Sequence, residues 1–219
     1  MANIVITGAN RGIGLELARQ RAGTDTVVAV CRAPSDELEA LGCRIEAGVD
    51  VTDDGAVASL AERLGDTRID VLVNNAGILR RETLEALDFD SIRAQLEVNA
   101  LGPLRVSAAL APRMGEGGKI AIITSRMGSI ADNTSGSRYG YRMSKAAVNM
   151  AGVSLAHDLK ERGIAVAILH PGFVRTDMTG RSGHLEPAES AAKLWERIDA
   201  LTLETSGGFW HANGERLPW

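Results

Sequence analysis

Two cysteines, Cys31 and Cys43, are all that the 219 residues contain. They are too few, and too far from other ligand types, to close a zinc site, and they read as the reduced thiols of a cytosolic chain. No apolar run reaches the roughly 20 residues that a membrane span needs. The start, Met1-Ala2-Asn3, enters an apolar strand without the basic stretch of a secretory leader. A cytoplasmic location without membrane contact is therefore expected. Charge of one sign is also scarce: the net charge is −4, and the 24 Lys and Arg are spread along the chain. That spread gives no reason to expect a nucleic-acid partner. No G-x-S-x-G elbow marks a hydrolase, and Gly118-Lys119 is followed by Ile120 rather than the Ser or Thr of a P-loop. No repeat, low-complexity run or linker divides the chain, so one domain over 1–219 is expected, with 45% hydrophobic residues to fill its core.

What is present is an alternation. Short β-rich runs stand at Ile4 to Ile6, Thr26 to Cys31, Arg44 to Ala47, Val71 to Asn74, Lys119 to Thr124 and Ala165 to His170. Longer helical patterns separate them. That order predicts right-handed βαβ units and a parallel sheet covered on both faces.

The first strand runs into Gly8-Ala9-Asn10-Arg11-Gly12-Ile13-Gly14 and then a helix to about Arg21. Glycines let the backbone turn tightly and approach a pyrophosphate, which the free N–H groups of the helix N-terminus then hold. A bare glycine cluster could be a plain turn, but strand, turn and helix together are the context that phosphate binding needs.

Tyr141 and Lys145, four residues apart, share one face of a helix that the pattern carries to about Gly163. A free tyrosine, with a pKa near ~10, is a poor acid at neutral pH. A cation at about 4 Å in an effective dielectric of about 20 supplies on the order of 4 kcal/mol, enough to lower it by two or three units. The pair is thus a candidate proton donor, whereas the other tyrosine, Tyr139, meets Met143 at the same spacing.

The glycine spacing, T-G-x-x-x-G-x-G, together with Tyr141 and Lys145, resembles the short-chain dehydrogenase/reductase family over essentially the whole chain. The resemblance implies an α/β fold: a single-domain, Rossmann-type, doubly wound parallel sheet in strand order 3-2-1-4-5-6-7. It also implies hydride transfer between a nicotinamide dinucleotide and a small carbonyl or alcohol. Ser125 would polarise the substrate oxygen, Tyr141 would give or take its proton, and Lys145 would lower the tyrosine pKa and contact the ribose. Asp50-Val51 resembles the adenine-binding pair, while Asp53 reads as a helix N-cap. Asn74-Asn75-Ala76-Gly77 resembles the stretch that braces the sheet and lines the cofactor cleft, so Asn75, Ala76 and Gly77 join the candidate binding set. Pro171, Gly172, Val174 and Thr176 match the turn beside the nicotinamide.

The second strand ends without an acid to hold a ribose 2′-OH, and Arg32 follows at once, with Arg11 in the glycine loop. Two planar guanidinium forks suit a 2′-phosphate, so NADP(H) is expected over NAD(H). Between Asp88 and Met114 one long helical pattern contains Pro103, which has no N–H for the carbonyl of Asn99. A broken turn is expected there, and by resemblance the Asn99 carbonyl would hold a relay water leading to Lys145.

Ser125 sits at the C-terminal edge of a strand, facing the ligand crevice; Ser129 is its competitor. The extra residues Asp132 to Ser137 are expected to form the pocket rim. With this loop the chain is similar to the branch of sniffer-type carbonyl reductases and C-factor proteins. That leaves open a cofactor-binding signalling protein with incidental reductase activity. The helix after Lys145 is apolar on nearly every side, which predicts burial all round, either by the chain's own loops or in a homodimer or homotetramer. His170 reads as a strand-end residue without a chemical role. Thr179 to His184 is too brief to form a large lid. The tail is expected to form a last short strand packed by Trp210 and Trp219.

Overall fold

The computed structural model describes residues 1–219. Seven parallel strands form one sheet in the order 3-2-1-4-5-6-7: β1 Asn3–Thr7, β2 Thr26–Val30, β3 Arg44–Glu46, β4 Val71–Asn74, β5 Lys119–Ile123, β6 Ala165–His170 and β7 Phe209–His211. The jump from β1 to β4 in the sheet order opens a crevice at the strands' C-terminal ends, where a doubly wound sheet takes its ligand.

Successive side chains of a strand point to opposite faces, and these strands are apolar at both parities. Ile4, Ile6, Ala29 and Val73 therefore face one layer and Val5, Val28, Leu72 and Ile120 the other. The first layer holds α1 (Gly12–Arg21), the short α2 (Asp36–Glu39) and α7 (Pro187–Asp199). The Trp195 indole N–H donates to the Leu17 carbonyl at 3.2 Å, joining α7 to α1. The second layer holds α3 (Asp54–Leu64), α5 (Gly102–Leu110) and α6 (Tyr139–Asp158), with α4 (Phe89–Leu96) leading into α5. Asp53 does cap α3, its carboxylate accepting from the Ala56 N–H at 3.0 Å.

The break expected at Pro103 is a π turn over Glu97–Leu101, closed by the Gly102 N–H on the Glu97 carbonyl. A proline just past the wide turn cannot restore the i to i+4 ladder, so α4 and α5 stay distinct. Helix α6 begins two residues before Tyr141 and ends earlier than expected: a 3-10 turn, Lys160–Arg162, follows, and Gly163 stops it at φ 70°.

Helix α6 is not buried all round. Met143 and Met150 are 50% and 69% exposed, so the chain's own loops leave a stripe of it uncovered. Trp219 stacks on Phe209 with ring centroids 5.2 Å apart, and Trp210 packs at the edge of the first layer. No helix is long and apolar enough to cross a membrane.

Candidate active site

The glycine turn is forced by packing. Gly8 adopts φ 65°, and a Cβ there would lie 2.8 Å from the Ala76 Cα. A Cβ on Gly14 would collide with the Gly8 carbonyl oxygen. The Asn75 side-chain amide donates to the carbonyls of Thr7 and Gly8 at 3.0 and 3.1 Å. The Thr7 hydroxyl accepts the N–H groups of Asn75 and Ala76 at 3.0 and 3.1 Å. β1 and β4 are thus laced together beneath the N-terminus of α1. The backbone is bare where a phosphate would approach, so the turn fits a dinucleotide. Thr7 opens the T-G-x-x-x-G-x-G spacing, but nothing in that spacing alone shows that its hydroxyl ties β1 to β4.

A cavity of about 410 Å³ opens between this turn and the end of β5. Ile13, from the turn, lines it together with Pro171, Gly172, Val174, Thr176, Ser125 and Tyr141. Ser125 and Tyr141 are neighbours in this wall, close enough for the serine to act on the phenol, and the Ser125 hydroxyl accepts the Met127 N–H at 3.1 Å. Ser129 is buried outside the cavity, its hydroxyl accepting the Asp132 N–H at 3.0 Å.

The first turns of α6 are fixed from several directions. Thr124 donates to the Asn149 side-chain oxygen at 2.7 Å, and the Asn149 amide reaches the Gly128 carbonyl at 3.4 Å. Lys145 is buried, and its ammonium donates to the Ile123 carbonyl at 2.9 Å. Asn99 clasps the backbone of Ile78 in both directions, at 2.8 Å each way, and donates to the Ser144 hydroxyl at 3.0 Å. A Cβ on Gly77 would stand 3.2 Å from the Asn99 side-chain oxygen and 3.8 Å from the Lys145 nitrogen, so Gly77, Asn99 and Lys145 meet at one point.

Electrostatics depart from the expectation of an acidified phenol. Lys145 Nζ is 5.7 Å from the Tyr141 ring centroid. Burial pushes the Tyr141 phenol up to about 12, and the nearby Ser125 hydroxyl and the Arg138 charge oppose this without overcoming it. Burial also pushes the Lys145 ammonium down to about 8. The same low dielectric that strengthens a charge–charge attraction penalises both charged forms, and here the penalty is the larger effect. His170, expected to be inert, lines the cavity, and burial depresses it to about 3, so it stays neutral.

At the far end of the crevice Arg32 is 75% exposed and Arg11 64%. No acid ends β2, yet the fold brings Asp50 within 3.9 Å of Arg32 and Asp177 within 3.5 Å of Arg11. Such exposed pairs are worth about 0–1 kcal/mol and exchange readily for a phosphate. Asp50 lies beyond the end of β3 rather than on it, accepting from the Thr52 N–H and hydroxyl at 2.9 and 2.8 Å. Beside it lies a second hollow bordered by Asp50, Thr52, Val98 and Arg105. Val51 is buried, in contact range of any Cβ placed on Gly102. Asn10 contributes its backbone carbonyl, which accepts the Ser35 hydroxyl at 2.7 Å.

The loop Asp132 to Ser137 does not form the rim. None of its residues lines the cavity; Met127 and Arg138 on either side of it do, while Arg142 ties it back through the carbonyls of Gly136 and Ser137. Sequence reasoning missed Arg81, Arg126 and Arg138 in the wall, because their motif neighbours carry no hint of a ligand.

Residues 2–186 match the family model described as short chain dehydrogenase. The chain is 44% identical over 227 residues to the 1-hydroxy-2-glutathionyl-2-methyl-3-butene dehydrogenase of Rhodococcus sp. (strain AD45), with all of both chains covered. It is also 44% identical over 154 residues to C-signal of Myxococcus xanthus, covering 69% of this chain and 93% of that one. Among solved structures it is similar to carbonyl reductase Sniffer of D. melanogaster, with TM-score 0.91, 30% identity and all of both chains covered. It is likewise similar to an NADPH-bound carbonyl reductase from chicken fatty liver, with TM-score 0.89, 30% identity and coverage of 100% and 99%.

Proposed function

The chain belongs to the short-chain dehydrogenase/reductase family, and from that premise we propose that it uses NADP(H) to reduce an aldehyde or ketone to an alcohol, or to run the reverse. The observation that carries this reading is that Ser125 and Tyr141 stand as neighbours in the wall of a cavity that Ile13 of the glycine turn also lines. A hydroxyl and a phenol converging on one spot can both bond a carbonyl oxygen, one holding the growing negative charge and the other giving its proton.

Gly8, Gly12 and Gly14, with the N-terminus of α1, would hold the pyrophosphate, Arg11 and Arg32 the 2′-phosphate, Asp50 and Val51 the adenine, and Asn75 to Gly77 with Pro171 to Thr176 the nicotinamide side. Bound there, the dinucleotide supplies or accepts the hydride. Ser125 donates to the substrate oxygen. Tyr141, kept neutral by burial, delivers the proton during reduction, and a phenol with a raised pKa still protonates the far more basic alkoxide. That protonation state favours the reductive direction at neutral pH. Lys145 steadies the site through Ile123, and the π turn at Asn99 leaves room for a proton path to it. The Rhodococcus relative is named a dehydrogenase, which keeps alcohol oxidation within reach of the same geometry.

Similarity to C-signal supports a second reading, a cofactor-binding signalling protein. One measurement decides between the two. Purified protein should consume NADPH, and NADH more slowly, across a panel of small aldehydes and ketones. A protein that binds NADPH yet oxidises none of it with any carbonyl would leave the signalling reading.

A further inference from the structure

Eighteen residues line the cavity and none is acidic, in a chain whose net charge is −4. Three arginines, Arg81, Arg126 and Arg138, are among them. Arg126 is neutralised by Asp132 at 2.7 Å. Arg81 makes no side-chain hydrogen bond or ion pair, and the Arg138 guanidinium meets only the Met127 sulfur, at 3.7 Å. Two unpaired guanidinium groups therefore face one cavity, on the side of the proton donor. Arg138 lies close enough for its charge to act on Tyr141.

The backbone that carries these two arginines is specially built. Ser137 and Arg138 are consecutive non-glycine residues in the left-handed region, at φ 51° and 52°. Such strain persists only where the surroundings hold it. Here the holder is Glu82, next to Arg81 in the chain and 2% exposed. Its backbone carbonyl accepts the Arg138 N–H at 2.8 Å. Its carboxylate accepts from the Ser91 hydroxyl at 2.8 Å, the Gln95 amide at 2.6 Å and the Gly140 N–H at 3.4 Å. A buried carboxylate spent on neutral donors leaves both neighbouring arginines free, and it locks together the segments that carry them.

We propose that Arg81 and Arg138 form an anion subsite, so that the substrate is a carbonyl compound bearing a carboxylate, with an apolar body between the two groups resting on Leu79, Phe173 and Met178. A carboxylate presents two coplanar acceptors, the geometry a guanidinium fork matches, and the lining offers it no competing acid. This rests on the carbonyl-reductase reading of the same cavity and adds the class of substrate to it.

The probes are 4-carboxybenzaldehyde and its uncharged methyl ester, methyl 4-formylbenzoate. With NADPH, the wild-type ratio of kcat/KM, acid over ester, should be at least tenfold, and in Arg81→Met/Arg138→Met it should fall toward one, mainly through KM of the acid. Arg81→Lys/Arg138→Lys should keep part of the ratio, because charge remains while the fork is lost. If the double methionine variant does not fold, Arg81→Met alone, at an exposed position, should lower the ratio by several fold. Calorimetric titration of both compounds into the NADP⁺-loaded protein decides the subsite independently of turnover. The acid should bind about tenfold tighter than the ester, and the gap should close in the variants. Equal affinities or equal kcat/KM in the wild type, or a preference that survives loss of both arginines, overturns the subsite. A loss confined to NADPH affinity also overturns it, by assigning these arginines to the cofactor. Absence of turnover with either aldehyde, alongside selective acid binding, would strike the reductase reading and leave the subsite standing.

Discussion

The two ends of the crevice are built on opposite rules. At the Tyr141 end the polar groups are buried and braced: the phenol is 8% exposed, Lys145 is held by Ile123, and Asn99 grips both Ile78 and Ser144. At the Arg32 end the guanidinium groups stand in solvent, 75% and 64% exposed, with loose carboxylate partners. The difference fits the roles proposed for the two ends. A proton donor must hold one position and one protonation state, which requires low dielectric and fixed neighbours. Recognition of a doubly charged phosphate tolerates mobile side chains, because attraction at an exposed site needs charge more than placement.

Substitutions at the two ends should separate these rules, the buried end giving the larger effects. Tyr141→Phe should lower kcat by about 10²–10⁴-fold while NADPH affinity, followed by cofactor fluorescence, stays near wild type. Turnover retained in that variant would end the assignment of the proton donor.

Lys145→Met tests the buried cation through stability. The lysine sits at about 8 in the folded chain against an ordinary 10.5. Below pH 8 folded and unfolded chains both carry the proton, and the folded state bears the full desolvation penalty. Between pH 8 and 10.5 the folded chain sheds the proton that the unfolded chain keeps, so wild-type stability should rise relative to the methionine variant by about 3 kcal/mol across that window. Tyr141 acts the other way above pH 10, in both proteins alike, and so cancels from the comparison. Parallel denaturation midpoints for the two proteins from pH 8 to 10.5 would show that the ammonium is not buried as described.

At the exposed end, replacing Arg11 and Arg32 together by Ala should cut the NADPH over NADH preference by about 10–100-fold, with little change in kcat, and Arg32→Asp should move preference toward NADH. An unchanged cofactor ratio in the double variant would show that the exposed arginines do not read the phosphate. The smallest effect belongs to Pro103→Ala. Restoring an N–H opposite Asn99 lets the π turn close toward an ordinary helix, and turnover should slow by roughly two- to tenfold. The solvent isotope effect should rise with it if proton transfer is what slows.

Much of the fold was legible because it is written in local terms. Strands with apolar residues at both parities separated by helical patterns imply a covered parallel sheet. Gly8, Gly12 and Gly14 after a strand imply a phosphate turn. Pro103 inside a helical run implies a broken ladder, since the missing N–H is a property of one residue. Asp50 and Val51 lie on the loop beyond β3, which is only three residues long and ends at Glu46. The pocket rim was assigned to the long loop, whereas the residues flanking that loop supply it.

By itself the sequence determined the order of the elements, the bare backbone at the glycine turn and the helical spacing that sets Tyr141 and Lys145 on one face, all of which depend on residues within a few positions of each other. Only the tertiary structure decided the direction in which that tyrosine's pKa moves, the carboxylates that meet Arg11 and Arg32, and the clasp by which Glu82 holds two arginines at the cavity. Each of these depends on how much water is excluded and which distant charges converge. No stretch of chain records that until the sheet and its two layers have closed around it.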